Sequence, residues 1–347
     1  MAFFAVTKEK LESVLPHPNA DRLELGKLVG IDFQFVIPKG KYTAGDTVLY
    51  IPVDSLVPEA VLEKVGLLGK LSGPDKNRVR TIQLRGEYSQ GIVEYPHVLL
   101  GDDWEKVEDI TAALGITKFD PEPNVTKDAI LLPIPDGVGV YDIEGAERYA
   151  DVVEELMDQE VSISEKLEGY NFSGILDPDG TVIFCQHENR IQEIPNTPNL
   201  FCDVARAVGV PGMLATLRKV YPKGRIVLRG EVIGPGIRGN IYNLHEKTIR
   251  VFDIKVDTRY LNPNEFHREC TVCEAVPVPS LASKVTLRQW LAGKTLREAS
   301  NGMSMINPKQ LREGVVIKPM TEQRSARLNG RLFLKQRSPK YLAKEGD

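Results

Sequence analysis

Apolar and polar positions alternate in short runs through the first hundred residues. LELGKLVG, FQFVIPKGKY, DTVLYIPVDS and RVRTIQLRG each carry apolar side chains at every second position or in a brief block, and Gly, Pro or Asp interrupts each run. A period of two, punctuated by turn formers, predicts strands. PEAVLEKVGLL, residues 58–68, departs from that period and predicts a short helix. Several short strands with one helix suggest a small barrel. The proline-rich stretch 118–137 reads as a linker or crossing strap, and the domain boundary is placed there, giving domains at 1–125 and 126–347.

The second part starts on a helix-like stretch, EGAERYADVVEELM. GYNFSGILDPDGTVIFCQHENR follows as two strand-type runs joined by Asp-Pro-Asp-Gly, a strong turn signal. Helical spacing returns around 199–220 and again at 286–300. GRIVLRGEVIG, TIRVFDIK, EGVVIKP and RLFLKQR complete the strand candidates. The pattern predicts an α+β domain with mainly antiparallel strands and no internal repeat.

Composition changes this picture little. Of 347 residues, 42% are hydrophobic and 27% charged, enough apolar material for a sizeable core in a soluble globular protein. The formal net charge of -4 gives no sign of nucleic acid. Its distribution does: from Arg312 to Asp347 nine Lys/Arg face four Asp/Glu, a basic segment suited to phosphates or simply to solvent. Four cysteines make no disulfide framework in a chain this long. The start lacks the apolar core of a signal peptide, and no stretch reaches the ~18 apolar residues of a membrane span. A cytoplasmic, reducing compartment, with no membrane partner, is the expectation.

Chemistry concentrates in SISEKLEGYNFSG, residues 162–174, where Lys166 stands between Glu165 and Glu168 and Gly169 is expected to let the backbone turn. A lysine of ordinary pKa is an ammonium at neutral pH, and neighbouring carboxylates raise that pKa further. A nucleophilic role therefore requires a metal, other cations or desolvation. Alone, Lys-x-Glu-Gly is common and reads first as a surface charge cluster. The later strands change the weighting: Glu231 follows Arg229 and Gly230, Phe252 precedes Asp253, Glu313 and Lys318 bracket one apolar strand, and Lys335 and Arg337 lie on another. Charges on strands with buried apolar faces are costly unless paired or bound to a ligand.

In this order the residues resemble the motif series of the covalent nucleotidyltransferase superfamily, the ligases and capping enzymes, over residues 140–342. Lys166-Leu-Glu-Gly169 resembles the lysine box, with Glu168 where most members have Asp. Arg190 resembles the arginine after that box, and Glu231, Phe252, the segment from Glu313 to Lys318, and Lys335 match the later motifs. DNA ligases and capping enzymes carry an OB domain after the last motif; here twelve residues follow Lys335. The extra domain comes first instead: HPNADRLELGKL, GKYTAGDTVLYIP and LRGEYSQGI resemble an OB fold of the tRNA-binding type. An N-terminal OB β-barrel followed by an α+β adenylyltransferase domain resembles the Deinococcus and Naegleria type of RNA ligase.

That resemblance implies an enzyme that uses ATP and Mg²⁺ or Mn²⁺ to seal RNA breaks with 3'-OH and 5'-phosphate ends, in nicked duplexes, as a monomer. Lys166 would be the catalytic nucleophile. Phe252 would stack on adenine, and Glu165 would accept from its amino group. Glu168 and Glu231 would meet ribose or hydrated metal, with Gly169 beside them, and Glu313 would hold the metal through water. Arg190, Lys318 and Lys335 would bind phosphate, and Arg337 stands where other RNA ligases often have a second lysine. In the barrel, Lys39, Lys41, Tyr42, Arg78 and Arg80 are nucleic-acid candidates, since OB grooves combine cations with stacking aromatics. The alternatives are a DNA ligase, a capping guanylyltransferase, or a non-catalytic RNA-binding protein.

Two other motifs are set aside. GPGIRG, residues 234–239, matches a dinucleotide fingerprint but precedes a loop and strand where that fingerprint needs a helix. HRECTVC, residues 267–273, offers His267 and one Cys-x-x-Cys without the second pair that a structural zinc requires.

Overall fold

The strand Thr7–Pro16 serves two partners. Its first half pairs with Thr47–Ile51 and its second with Leu23–Leu28, and an irregularity between Leu11 and Ser13 marks the change of partner. Such a bulge bends a strand and increases its twist, which curls a sheet toward closure. In the computed structural model, which describes residues 3–119 and 128–344, Thr7–Pro16 is the middle strand of a five-stranded sheet. Ile31–Pro38 and Leu23–Leu28 lie on one side of it, Thr47–Ile51 and Ile92–Glu94 on the other. All neighbours are antiparallel. Alternating side chains Leu11, Leu28, Phe35, Val48 and Tyr50 fill the interior, and the predicted short helix, Glu59–Lys64, covers a second cluster through Val61 and Leu62.

The chain divides into two compact units that are not sequential. The barrel unit comprises Ala2–Pro121, Gly145–Glu154 and Pro339–Asp347; the other comprises Glu122–Glu144 and Glu155–Ser338. The expected boundary at 125/126 lies outside the described residues. Two later segments join the barrel unit for physical reasons. The helix Pro339–Lys344 packs on the strand Thr81–Leu84, and Arg148 lies over the rings of Phe3 and Tyr50.

The second unit holds two larger sheets and a two-stranded one, Arg324–Ser325 with Gly330–Arg331. Seven antiparallel strands run in the order Ala129–Pro133, Asn189–Glu193, Val182–Gln186, Tyr170–Leu176, Ile226–Ile233, Thr248–Val256 and Arg259–Tyr260. The helices Leu200–Ala207, Val210–Val220 and Pro263–Val272 bury Phe201, Leu214, Leu217, Phe266 and Cys270 in the core of this sheet. Asn199 caps the first helix by accepting from the backbone N–H groups of Phe201 and Cys202, and Gly209, at a φ of 81°, separates it from the second. In the other sheet Leu334–Arg337, Gly314–Pro319, Glu160–Lys166 and Ser280–Thr286 lie side by side, all antiparallel.

Three expectations are corrected here. Ala129–Pro133 is an edge strand rather than part of a linker, because its backbone pairs with Asn189–Glu193. The single helix at 286–300 is two, Leu287–Leu291 and Leu296–Ser300, each with its own capping box at Thr286 and Thr295. Ala292 and Gly293 between them adopt positive φ, which ends the first helix. Gly169 does not sit at a positive-φ turn; a Cβ there would lie 2.3 Å from the Val232 carbonyl oxygen and 2.8 Å from Glu231 Cγ. Glycine is needed for close approach of two strands.

Candidate active site

The lysine strand and its neighbour fix the centre of the site. Lys166 pairs with Gly314 across the ladder, which brings Glu313 to the end of the same edge. Lys166 Nζ donates to Glu313 Oε1 at 2.5 Å. Burial draws the Lys166 pKa down, but the charges of Glu313, then Glu231 and Glu168, outweigh it, and the net displacement is upward. The glutamates that matter most therefore come from other strands.

Glu165 behaves differently from its neighbour. Successive side chains on a strand point to opposite faces, and Glu165 Oε2 accepts from the backbone N–H of Met305 at 2.8 Å. Only 1% of the residue is exposed. Burial raises its pKa, and Oε1 has no hydrogen-bond partner in the folded chain.

A cavity of about 260 Å³ opens beside these groups. Glu165, Lys166, Gly169, Glu231, Phe252, Lys318 and Lys335 all line it. Burial raises the Glu231 carboxyl to about 8. Burial and the nearby Lys166 and Arg337 charges lower Lys335 to about 8. Phe252 reaches the cavity through a bulge. Arg229 pairs with Asp253 and Gly230 with Val251, so Phe252 is the extra residue on its strand. Its ring lies 4.8 Å from that of Tyr141, centroid to centroid.

The remaining candidates stand elsewhere. Glu168 lies outside the cavity wall, with its carboxylate 3.6 Å from Arg238 Nε. Arg238 comes from the GPGIRG segment, which leads into a single 3-10 turn, Arg238–Asn240, and not into a helix. Arg190 does not line the cavity, since its strand pairs with Val182–Gln186 two strands away from Glu231, and His187 of the intervening turn lines it instead. Arg337 pairs with Gly314 and also stands outside the wall. Glu313 is buried, and its Oε2 has no hydrogen-bond partner.

Sequence reading missed Tyr141, Asn171 and His187, which also line the wall. Tyr141 belongs to an irregular segment without periodicity. Asn171 sits opposite Glu231 in the sheet register, and its Oδ1 is a further buried acceptor without a partner. Cys270 and Cys273 are buried core residues, and the Cys273 thiol donates to the Cys270 carbonyl.

In the barrel unit Lys41, Arg78 and Arg80 line a separate cavity of about 350 Å³, together with Lys70. Lys41 pairs with Glu94 at 2.6 Å and Arg78 with Asp54 at 2.7 Å. Lys39 is exposed outside that cavity. Tyr42 lines it as well, though it is 3% exposed: its hydroxyl donates to the Val93 carbonyl, and its ring packs on Tyr95.

Comparison with known proteins agrees with this fold. The RNA ligase family model matches residues 159–336, just over half of the chain, and an OB-fold domain model matches residues 5–96. None of the curated proteins compared with the chain matches it. Among solved structures, a mutant of Naegleria gruberi RNA ligase with ATP and Mn aligns at a TM-score of 0.80 and 25% identity, covering 99% of this chain and 100% of that one. An apo mutant of the same enzyme gives 0.78 and 26%, and its complex with PPi 0.79 and 25%, each covering 99% of both chains. No single helix among the described residues is long and apolar enough to cross a membrane.

Proposed function

The chain belongs to the RNA ligase family, and on that premise we propose that it seals RNA breaks bearing 3'-OH and 5'-phosphate ends, in nicked duplexes, as an RNA-repair enzyme that consumes ATP. The observation that carries this reading is a half-buried lysine, Lys166, on an interior strand, held at 2.5 Å by Glu313 beside a cavity lined with Phe252, Glu165 and Lys335.

Three displacements follow. The Lys166 amine attacks the α-phosphorus of ATP; a P–N bond forms and pyrophosphate leaves. The 5'-phosphate of the RNA then attacks the same phosphorus, which frees the lysine and leaves an adenylated end. The 3'-OH attacks that end, a phosphodiester forms and AMP departs. Each step has a good leaving group, which is the benefit of covalent catalysis.

The chain's residues divide this work. Glu165 Oε1, an unpartnered acceptor, matches the amino group of adenine and opposes the carbonyl of guanine. Phe252 offers its ring to the base. Lys335 and Lys318 are cations at the cavity wall, suited to the phosphates and to charge developing in the transition state. Gly169 keeps the lysine strand close to Glu231. Glu231, with Asn171 opposite it, faces the ribose or hydrated metal. Arg190, Glu168 and Arg337, outside the cavity wall, belong to the reading as groups suited to phosphate or ribose.

The carboxylates also fit a divalent metal. Among the described residues no three His, Cys, Asp or Glu side chains converge as ligands, whereas magnesium keeps much of its water and takes few direct protein ligands. Glu313, whose Oε2 is buried without a partner, and Glu231 would hold Mg²⁺ or Mn²⁺ through its water shell. When bound, the metal supplies the positive charge that favours the neutral lysine and shields the phosphates.

The barrel unit, with Lys39, Lys41, Lys70, Arg78 and Arg80 at or near its cavity, is the proposed site for the RNA duplex. The four cysteines are free and buried, which suits a monomer working inside the cell. Sealing of labelled nicked duplexes tests the reading. RNA nicks should close with ATP and a divalent metal, and Lys166→Ala should close none. Closure of an all-DNA nick alone, or labelling by GTP, would replace this reading with a DNA ligase or a capping enzyme.

A further inference from the structure

One buried oxygen next to the nucleotide cavity is oversubscribed. Asp253 Oδ2 accepts from the Tyr141 hydroxyl at 2.7 Å, from Lys318 Nζ at 2.9 Å and from Arg331 Nη1 at 2.8 Å. Its other oxygen accepts from the backbone N–H of Ile254. A carboxylate oxygen presents about two lone-pair directions, so three donors exceed what it needs. Asp253 is 1% exposed.

The three donors are not equally fixed. Arg331 is anchored from behind, with Nε on Glu322 Oε1 at 2.5 Å and Nη2 on Glu322 Oε2 at 2.8 Å. Its guanidinium lies 3.6 Å from the ring centroid of Tyr260. Tyr141 is wedged among Phe252, Tyr260 and Phe333. Lys318 is a compact charge on a flexible stem, lines the cavity, and besides Asp253 donates to the Phe252 carbonyl at 2.8 Å and lies over the Tyr141 ring. If Lys318 were the only cation on Asp253, moving it to a phosphate would strand a buried carboxylate, at heavy cost. With Arg331 and Tyr141 in place, it can leave.

We propose that Arg331 is a positioning residue: the standing counter-cation of Asp253 that releases the Lys318 ammonium to the phosphates of the incoming nucleotide. The inference rests on the reading of Lys318 as a phosphate contact in an ATP-consuming ligase. It assigns Arg331 no contact with substrate.

The test is the rate of lysyl-AMP formation against ATP concentration, with thermal melts for every variant. Arg331→Gln should raise the ATP concentration for half-maximal rate about ten-fold, because Lys318 then stays on Asp253. Arg331→Lys, which keeps a cation, should recover most of that loss. Arg331→Gln combined with Asp253→Asn should also recover, since a neutral amide does not hold the ammonium. A merely structural role predicts the opposite, with the double variant worse than either single one. An unchanged half-saturation in Arg331→Gln, or no recovery in the double variant, overturns the proposal while wild type still labels. Should Arg331→Gln fail to fold, Asp253→Asn alone decides: half-saturation at or below wild type supports the release, and a rise contradicts it. A wild type that takes no label overturns the ligase reading and this inference with it.

Discussion

Lys166 Nζ and Glu313 Oε1 meet at 2.5 Å because the strand register pairs residue 166 with Gly314 and leaves Glu313 at the ladder's end. The contact holds Lys166 as an ammonium in the free protein. Glu313 is the leading influence that raises the Lys166 pKa against burial. Glu313→Gln should therefore lower the pH at which Lys166 titrates, observed by NMR of labelled lysine. The same change should slow lysyl-AMP formation about a hundred-fold, because it removes the carboxylate proposed to hold the metal's water shell. A titration midpoint that does not move down would contradict the assigned electrostatics.

Base selection should reside in Glu165. Its Oε2 is fixed by the Met305 N–H and its Oε1 has no partner. Glu165→Gln keeps the first contact and turns the second position into a donor. Adenylylation by ATP should fall and labelling by GTP should appear, narrowing the ATP to GTP preference by about ten-fold or more. A preference that remains as in wild type would place base recognition elsewhere.

Gly169 should tolerate no side chain. A Cβ would meet the Val232 carbonyl at 2.3 Å, and backbone cannot move aside as a flexible side chain can. Gly169→Ala should destabilise the protein by about 1–3 kcal/mol, the range for overpacking, in chemical denaturation. Unchanged stability would mean that the two strands separate readily.

Stability should also report on Glu231. Its carboxyl is raised from the ordinary value of 4.5 to about 8, chiefly by burial. The folded protein keeps a proton that the unfolded chain releases, so stability falls as pH rises from about 4.5 to about 8. Glu231→Gln does not titrate. The Tm of Glu231→Gln relative to wild type should increase across that window and level off above it. A difference that shrinks with rising pH would reverse the sign of the shift.

Much of this site was legible in the chain because its residues sit on strands with clear alternation. The hairpin around Asp177–Gly180, the strands carrying Glu231, Phe252 and Lys335, and the strand that starts just after Glu313 all announce themselves by period and turn residues. What escaped depends on contacts distant in sequence. The bulge that presents Phe252 exists only through pairing with Arg229 and Gly230. Tyr141 and Arg331 reach Asp253 from segments 112 and 78 residues away. Tyr42 reads as an aromatic among lysines and glycines, yet packing against Tyr95 and a hydrogen bond to Val93 draw it into the barrel core. Lys318 reads as a phosphate cation, and only the fold reveals the carboxylate that holds it.

The most direct test is incubation with α-labelled ATP and a divalent metal, followed by a denaturing gel, for wild type beside Lys166→Ala and with labelled GTP in a parallel lane. An acid-labile label on wild type with ATP alone is the predicted result. Label on Lys166→Ala, or none on wild type, would contradict the assignment of Lys166 as the nucleophile.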